Sequence, residues 1–473
     1  MCINFSLYTK RTNLKNIMKI KTILLTIAKI YQLLEKFNLE DRLQLDYILD
    51  NNYPEFVSRL QNLSDTAKIA LCATNGKKTT TNILNQILEN NSKTYFSNVT
   101  KEAYIYPILT SIILELAKNK DFDIENDKKN YYTMAMDEFE LAGYFNSMRF
   151  DYLLLSNLFI DQKDFSCLED KKKKIQNAIM LNSKLNLIIN ADEPMFFQID
   201  EIKNDALLTK KRNKFYYGFN DIEFVGSTDS VIQKNDLMKC PNCGCSLDYR
   251  KRFYSHIGQY DCECGFKRPK LNLSANAKIF NDYSLLEVFY EDNKMVFKVP
   301  LGGIYNAYNA LGAIAVAICL NINRKTIFES FEKLEPLRAR DEILTYKNKK
   351  IKIKTIKNPT SLSESIRELH GAKNIKVVFC LADTILDGVD TSWIWDSNFE
   401  ALRGFENKIY ITSSRFDDMA LRLKYAQVNP CLMVMDSNIK SAIDCCYYEL
   451  EKNETMLILT TPSEIDKIYD IVG

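Results

Sequence analysis

Residues 70–84 read ALCATNGKKTTTNIL: a short apolar strand, a turn, the pair Gly76-Lys77 and a threonine run that opens a helix. A strand, a tight loop and a helix start in this order are typical of loops that bind phosphate through backbone N–H groups and a lysine. Lys78, however, stands where such loops place the hydroxyl that holds magnesium. The stretch therefore predicts a nucleotide-binding α/β domain and makes the use of ATP the central question.

The composition is that of a folded chain in a reducing compartment. The 473 residues are 46% hydrophobic and 26% charged, and the net charge of +2 gives no electrostatic case for a nucleic-acid surface. Thirteen cysteines without an obvious signal peptide favour metal ligands over disulfides and indicate a cytoplasmic location. Only 14 glycines occur, so a missing motif glycine argues only weakly against the motif.

The first 45 residues are expected to form an extension and an amphipathic helix. Residues 20–37 have apolar side chains at helical spacing but carry four charged residues, so they predict a helix packed on the body rather than a membrane span. Residues 1–17 are interpreted as an appendage, because MKIKTILL from Met18 is itself a plausible start.

Two series of apolar runs alternate with helical patterns, which indicates largely parallel sheets covered by helices. The first series belongs to a predicted middle domain, residues 46–335, and the second to a predicted C-terminal α/β domain, residues 336–473. The expected strands are residues 68–73, 131–136, 151–155, 186–190 and 214–218 in the first series, and 351–356, 376–382, 408–413, 432–436 and 456–460 in the second.

A cysteine-rich insert, residues 226–272, lies between the two series and predicts a structural zinc ribbon. Two thiol pairs, each followed by glycine, supply the four sulfur ligands of a closed tetrahedral site. Because the second pair is C-x-C rather than C-x-x-C, Cys245 or His256 could replace one ligand. A nucleic-acid-binding ribbon is the competing interpretation, and the balanced overall charge favours the structural one. The four expected ligands are Cys240, Cys243, Cys262 and Cys264.

Five further motifs are MDEFEL (136–141), NLFIDQKD (157–164), NADEP (190–194), GGIYNAYNALGAIA (302–315) and DGVDTSWIWDSNFE (387–400). Taken together with the phosphate loop and the ribbon, these motifs resemble the MurT family. This is the Mur-ligase-like synthetase subunit of lipid II isoglutaminyl synthase, and the resemblance runs from about Met18 to the C-terminus. The ribbon and the SWIWD stretch are specific to that family, whereas the phosphate loop and YNAYN are shared with Mur ligases generally.

The resemblance implies a fold, a partner and a reaction. The fold is α/β: a Mur-ligase-like central P-loop domain with a parallel sheet and an inserted zinc ribbon, followed by a second Rossmann-like α/β domain. The partner is a glutaminase of the GatD type in a heterodimer. The reaction is ATP-dependent amidation of the α-carboxylate of D-isoglutamate in lipid II at the inner membrane face, with no nucleic acid involved.

The resemblance also implies site residues. Lys77 matches the lysine that contacts the β and γ phosphates of ATP, and Thr74, Asn75 and Gly76 match the residues that shape the loop. Two positions of the nucleotide site come from other motifs: these are Asn306 in YNAYN and Asp192 in NADEP.

At three positions of the phosphate and magnesium site the sequence differs from the family pattern. Ala73 replaces the first loop glycine, Lys78 the magnesium-binding threonine, and Ala135 the acidic metal ligand of an E-V-D-E pattern. An ammonium cannot ligate Mg²⁺ and a methyl group offers no oxygen, so both expected protein contacts to the metal are absent together.

Two consequences are open. In one, Asp137 or Glu138 supplies the carboxylate, Thr79 supplies the hydroxyl, and Lys78 adds positive charge beside the phosphates. In the other, the chain has lost ATP turnover and serves as a scaffold that binds the glutaminase or lipid II. The intact YNAYN and SWIWD motifs favour the enzyme, and a folate- or cyanophycin-type ligase would explain neither the ribbon nor SWIWD.

The ammonia supply requires a partner, because only two histidines, His256 and His370, occur. A glutaminase needs an activated cysteine with a histidine base, and neither histidine accompanies a catalytic-looking cysteine. The resemblance implies that an aspartate of the C-terminal domain orients the partner's histidine. Asp390 is the choice among three aspartates of this stretch, although an aspartate here could equally cap a loop or a helix. The two other aspartates are Asp387 and Asp396.

Overall fold

The computed structural model describes residues 64–99, 129–159, 168–200, 212–225, 239–280, 282–335, 340–369, 374–384 and 387–473. The helix predicted for residues 20–37 and the proposed start at Met18 lie outside these ranges. Across the described segments, no helix combines the length and the apolar character needed to cross a membrane.

The middle domain is built on a nine-stranded sheet in the order β11-β10-β9-β6-β5-β4-β1-β3-β2. Neighbouring strands from β9 to β2 pair in parallel, whereas β9-β10 and β10-β11 pair antiparallel at one edge. The strands are β1 (Ser64–Cys72), β2 (Tyr95–Ser97), β3 (Lys129–Met136), β4 (Tyr152–Leu155), β5 (Asn186–Asn190), β6 (Lys214–Phe224), β9 (Leu273–Ile279), β10 (Ser284–Tyr290) and β11 (Asn293–Val299).

Helices cover both faces of this sheet. The first face carries the helix that follows β1 and the helix of the YNAYN motif, whose apolar side chains share one core. The opposite face carries the two helices that flank β4. The helices are α1 (Lys77–Asn90), α2 (Glu138–Ser147), α3 (Leu168–Leu181), α4 (Ile304–Cys319) and α5 (Arg324–Glu332).

The cysteine-rich insert lies between β6 and β9. Its described part contains the antiparallel hairpin β7 (Asp248–Tyr254) and β8 (Ile257–Asp261). The hairpin packs on the middle domain, because Tyr254 and Ile257 belong to the same apolar core as α1 and α4.

The C-terminal domain has a six-stranded sheet in the order β12-β13-β17-β14-β15-β16. Only β12 pairs antiparallel to its neighbour. Its strands are β12 (Arg340–Tyr346), β13 (Lys349–Thr355), β14 (Ile375–Cys380), β15 (Ile409–Thr412), β16 (Met433–Met435) and β17 (Thr455–Thr460); its helices are α6 (Pro359–Leu369), α7 (Phe416–Tyr425), α8 (Ile439–Glu449) and α9 (Ile465–Val472).

All ten strands expected from the apolar runs are present, and the predicted α/β class is confirmed. The sequence reading missed five strands of the two sheets. These are β2, the β9-β10-β11 meander and β12.

Candidate functional site

The phosphate loop joins β1 to α1 through a left-handed glycine. Gly76 has φ 87° and precedes α1 as its N-cap, and as a glycine it has no side chain that could cap the helix. A Cβ at this position would lie 2.0 Å from Asn309 Oδ1, so the loop requires glycine for both its backbone conformation and its space. The N-cap residue therefore contributes no side chain to the start of α1, and backbone N–H groups at a helix start after a glycine loop are suited to bind phosphate.

A segment that follows β4, residues 157–159, forms hydrogen bonds to the phosphate loop. The Thr74 amide donates to the Asn157 carbonyl at 3.2 Å. The Asn157 side chain accepts from the Asn75 amide at 2.9 Å and donates to the Asn75 carbonyl at 2.8 Å. The Phe159 amide donates to Thr74 Oγ1 at 3.0 Å. These buried bonds fix Thr74 and Asn75, so both predicted loop-shaping residues do lie in the loop.

Lys77 is the cation of the site. Burial acts to lower its pKa, but the carboxylates of Asp137 and Glu138 outweigh that effect and raise the pKa above its ordinary value. Its ammonium group lies 3.4 Å from the Ala73 carbonyl, across the loop. The lysine therefore stays charged and close to the glycine-capped start of α1.

The YNAYN motif supplies two asparagines to the same corner. Asn306 and Asn309 lie one turn apart on α4, and Asn309 Nδ2 donates to Asn306 Oδ1 at 3.3 Å. The hydroxyl of Thr80 donates to Asn309 Oδ1 at 3.2 Å, which connects α4 to α1. Asn306 Nδ2 donates to the Gly302 carbonyl at 2.7 Å. The predicted residue Asn306 is thus linked to the phosphate loop through its neighbour.

The C-terminal domain also contacts the loop. Lys357 Nζ donates to the Thr74 carbonyl at 3.0 Å. Asn358 Nδ2 donates to Asn75 Oδ1 at 3.0 Å, while the Asn358 side chain accepts from the Ser361 amide at 2.9 Å in the first turn of α6. The candidate site is therefore formed by both domains.

Asp192 lies at the end of β5 in a fully enclosed position. Its oxygens accept from Arg268 Nε at 2.5 Å, from the Tyr308 hydroxyl at 2.8 Å and from the Phe219 amide at 2.8 Å. Burial raises the pKa of Asp192, whereas the Arg268 charge acts to lower it. All three of these partners lie outside the phosphate loop. Asp192 connects α4, through Tyr308, to the cysteine-rich insert.

At the expected magnesium position, the residues Ala135, Asp137 and Glu138 differ from the usual oxygen ligands. Ala135 lies on β3 with its backbone bonded to the Asn98 side chain at 2.8 and 2.9 Å. Asp137 Oδ1 caps α2, which leaves Oδ2 outside the cap. Glu138 accepts the Thr74 hydroxyl at 2.5 Å. These residues do not reproduce the hydroxyl and carboxylate pair of a standard magnesium site.

Thr79, the expected substitute hydroxyl, is buried in the first turn of α1. Lys78 precedes it in the same turn and is partly exposed. With Lys78 in the position of the usual hydroxyl, this turn does not fit the standard coordination of Mg²⁺.

The four predicted zinc ligands come together. The sulfurs of Cys240, Cys243, Cys262 and Cys264 all lie within 4.8 Å of one another. Cys240 and Cys264 are 3.6 Å apart, and Cys243 and Cys262 are 3.5 Å apart. Sulfurs bound to one tetrahedral zinc at about 2.3 Å would be about 3.8 Å apart, so the donor set fits that metal.

Neither alternative ligand belongs to the group of four mutually close sulfurs. His256 Nε2 is 2.9 Å from Glu193 Oε2. Cys245 is exposed and follows the first knuckle. The geometry thus favours the set of four cysteines.

Comparison with known proteins identifies the family. The family model described as MurT ligase C-terminal matches residues 355–465. A curated relative, the lipid II isoglutaminyl synthase (glutamine-hydrolyzing) subunit MurT of Staphylococcus aureus (strain COL), is 30% identical over 373 residues, which cover 77% of this chain and 79% of the relative. The chain belongs to the MurT family.

Solved structures share the fold of this MurT-family chain. A pseudomurein peptide ligase type C from Methanothermus fervidus has a TM-score of 0.63 at 20% identity, covering 92% of this chain and 84% of that one. A MurF ligase from Thermotoga maritima in complex with ADP has a TM-score of 0.60 at 12% identity, covering 89% of this chain and 83% of that one. Likeness at these identities shows the Mur-ligase fold.

Three aspartates of the MurT C-terminal segment differ sharply in their surroundings. Asp387 is buried and accepts from the Ser463 amide at 2.9 Å and the Thr384 hydroxyl at 2.7 Å. Asp390 is exposed, and the Ser392 amide and hydroxyl lower its pKa by hydrogen bonds at 2.8 and 2.9 Å. Asp396 is exposed. Asp387 therefore stabilises the loop, whereas the other two can face a partner.

Sequence reasoning missed four polar residues of this MurT site. Three of them follow the carboxyl ends of parallel strands, where such sheets bind ligands: these are Asn157, Lys357 and Asn358. Their positions after predicted strands could therefore have identified them as candidate site residues. Asn309 repeats Asn306 at helical spacing, which places both side chains on one face.

Proposed function

We propose that this chain is the synthetase subunit of a glutamine-dependent lipid II isoglutaminyl synthase. It amidates the α-carboxylate of the D-isoglutamate residue in the stem peptide, using ATP and ammonia from a glutaminase subunit. The proposal is supported above all by the glycine-capped start of α1 beside the half-buried cation Lys77, in a chain 30% identical to a named subunit of that synthase.

The reaction has two steps with balanced atoms. A carboxylate oxygen of the substrate attacks the γ-phosphorus of ATP, the bond to the β-phosphate oxygen breaks, and ADP leaves. Ammonia then attacks the carbonyl carbon of the acyl phosphate, inorganic phosphate leaves, and the nitrogen loses one proton to give the amide. The protein contributes chiefly position and positive charge, as is usual for phosphoryl transfer.

Backbone N–H groups, two lysines and two asparagines supply that charge and position. The N–H groups at the start of α1 and the Lys77 ammonium stabilise negative charge on the transferred phosphoryl oxygens. Lys357 adds a second cation from the C-terminal domain, 3.0 Å from the Thr74 carbonyl. Asn306 and its neighbour Asn309 hold the opposite side of the loop.

The glutaminase is proposed to dock on the exposed face around Asp390. Three large side chains are exposed there: Val389 by 69%, Trp395 by 45% and Tyr425 by 68%. Trp395 and Tyr425 are in edge contact at 5.3 Å between ring centroids. An aromatic anchor beside a carboxylate suits a partner whose catalytic histidine needs orientation. Thirteen cysteines support a cytoplasmic complex that meets lipid II at the inner membrane face.

A second candidate function is a scaffold that binds the glutaminase without turning over ATP. It is favoured by Lys78 and Ala135, which remove both standard donors to the metal. Such a subunit would retain the Asp390 face and lose the chemistry of the phosphate loop.

The deciding experiment measures phosphate release and amidated lipid II by the purified complex with ATP, glutamine and lipid II. The matched control is Lys77→Met, which removes the cation but keeps the apolar length of the side chain. Turnover by the natural chain that clearly exceeds the control supports the synthetase. Equal, background turnover with an intact complex supports the scaffold instead.

A further inference from the structure

The cysteine-rich insert contacts the core of the middle domain through a buried hydrogen bond between His256 and Glu193. His256 Nε2 lies 3.0 Å from Glu193 Oε1 and 2.9 Å from Glu193 Oε2. Glu193 is fully buried and His256 is 7% exposed. A carboxylate in such a position is costly to leave without a partner, so the contact fixes how the β7-β8 hairpin sits on the domain.

The same carboxylate holds the segment that supports the phosphate loop. Glu193 Oε2 accepts from the Leu158 amide at 3.1 Å. Leu158 stands between Asn157, which bonds both backbone groups of Asn75, and Phe159, whose amide bonds Thr74 Oγ1. The segment 157–159 is thus bound to Glu193 on one side and to the loop on the other.

A direct ring contact reinforces this path. The imidazole of His256 lies 5.0 Å from the Phe159 ring, centroid to centroid. His256 therefore touches the supporting segment both through Glu193 and by itself. The hairpin is anchored nearby as well, because the Gly258 amide donates to the Asp192 carbonyl at 2.9 Å.

We propose that His256 is a positioning residue for the phosphate loop and that the insert sets the conformation of that loop. His256 acts through Glu193 and the segment 157–159 on Thr74 and Asn75, directly before Gly76. The inference rests on the proposed function only in choosing ATP as the ligand whose affinity reports the loop. It gives the insert a role in the nucleotide site in addition to its own folding.

The test compares variants of the full chain in complex with its glutaminase. His256→Phe keeps the ring against Phe159 and removes the bond to Glu193, whereas His256→Gln keeps a donor. Gln259→Ala is the matched control, because Gln259 bonds the Asn220 carbonyl at 2.8 Å, away from the supporting segment. For each variant we would measure the ATP dissociation constant, KM and kcat, and amide hydrogen exchange of residues 71–80.

We expect His256→Phe to weaken ATP binding about tenfold and to speed exchange of residues 71–80, with zinc content and glutaminase activity unchanged. His256→Gln should recover most of the affinity, and Gln259→Ala should match the natural chain. Unchanged exchange and affinity in His256→Phe would overturn the inference, as would an equal loss in Gln259→Ala. A natural chain that bound no ATP would contradict the proposed function. The hydrogen exchange of residues 71–80 would still show whether His256 sets the conformation of the loop.

Discussion

Asn358, the residue before α6, and Asn75 of the phosphate loop share a pair of side-chain amide hydrogen bonds across 283 positions of sequence. Asn358 Nδ2 donates to Asn75 Oδ1 at 3.0 Å, and the return bond from Asn75 Nδ2 is 3.5 Å long. The same Asn358 side chain accepts from the Ser361 amide, so one residue starts a helix of the C-terminal domain and contacts the loop of the middle domain. One side chain of the C-terminal domain therefore joins the phosphate loop to the start of α6.

Replacing Asn358 with alanine should weaken ATP use. A lost neutral hydrogen bond costs about 0.5–1.5 kcal/mol, so KM for ATP should rise about three- to tenfold. The control is Asn438→Ala, because Asn438 caps α8 by accepting from the Ser441 amide at 3.0 Å and lies outside the site. Each variant should lose about 1 kcal/mol of unfolding free energy with its cap. A KM shift of the same size in both variants would remove Asn358 from the site.

Residues 351–356 illustrate how much the sequence reveals. Alternating isoleucine and lysine predicted a strand, and β13 is that strand, with Ile351 and Ile353 in the core. The two lysines that alternate with these isoleucines are also buried. Lys352 lies 3.6 Å from Glu368, and Lys354 bonds the same carboxylate. Periodicity predicts the apolar face of a strand, but it cannot predict an ion-pair partner on another element, such as Glu368 on α6.

The site shows the same limit. The motif residues Gly76 and Lys77 were predictable, since a local pattern fixes a strand, a turn and a helix start. His256 was considered as a zinc ligand, whereas it pairs with Glu193 in the core. That contact joins positions 63 residues apart and depends on how the hairpin lies on the sheet, which no local pattern specifies.

The native protein should contain one zinc ion per chain. Cys243→Ala removes one of four clustered sulfurs and should abolish stoichiometric zinc, because a closed site contributes its binding energy only with all ligands present. Cys245→Ala is the matched control, since that exposed neighbour lies outside the cluster. Metal analysis of the purified chains tests this. Full zinc retention in Cys243→Ala, or equal loss in Cys245→Ala, would show that the ligand set is wrong.

Replacing Asp390 with asparagine should depress glutamine hydrolysis by the complex about tenfold or more while assembly persists. The reason is that an orienting carboxylate acts on the partner's histidine and not on the fold of this chain. Asp387→Asn is the contrasting variant. Because Asp387 is buried and bonded to Ser463, its loss should lower stability instead. Unchanged glutaminase activity in Asp390→Asn would move the role to Asp396.

The phosphate loop of the natural chain should bind ATP with weak metal dependence and hydrolyse it slowly. Lys77 and the α1 amides can hold the phosphates, but Lys78 and Ala135 offer no oxygen to a metal. Ala135 lies two residues beyond Thr133 on one face of β3, and the Thr133 hydroxyl bonds Asn85 of α1 at 2.6 Å. A side chain at position 135 therefore faces α1, closer to its beginning.

Restoring both donors tests this account. Lys78→Thr alone should raise ATP turnover little, and Lys78→Thr combined with Ala135→Glu should raise it by more than the product of the single effects, because the two groups would ligate one ion. Because Ala135 is fully buried, Ala135→Asp serves as a smaller carboxylate if the glutamate variant is unstable. Turnover is measured with the glutaminase and lipid II present, across a magnesium titration. A natural chain as fast as the double variant would show that the metal is held differently, with Thr79 and Asp137 Oδ2 as the donors, and Asp137→Asn should then lower turnover.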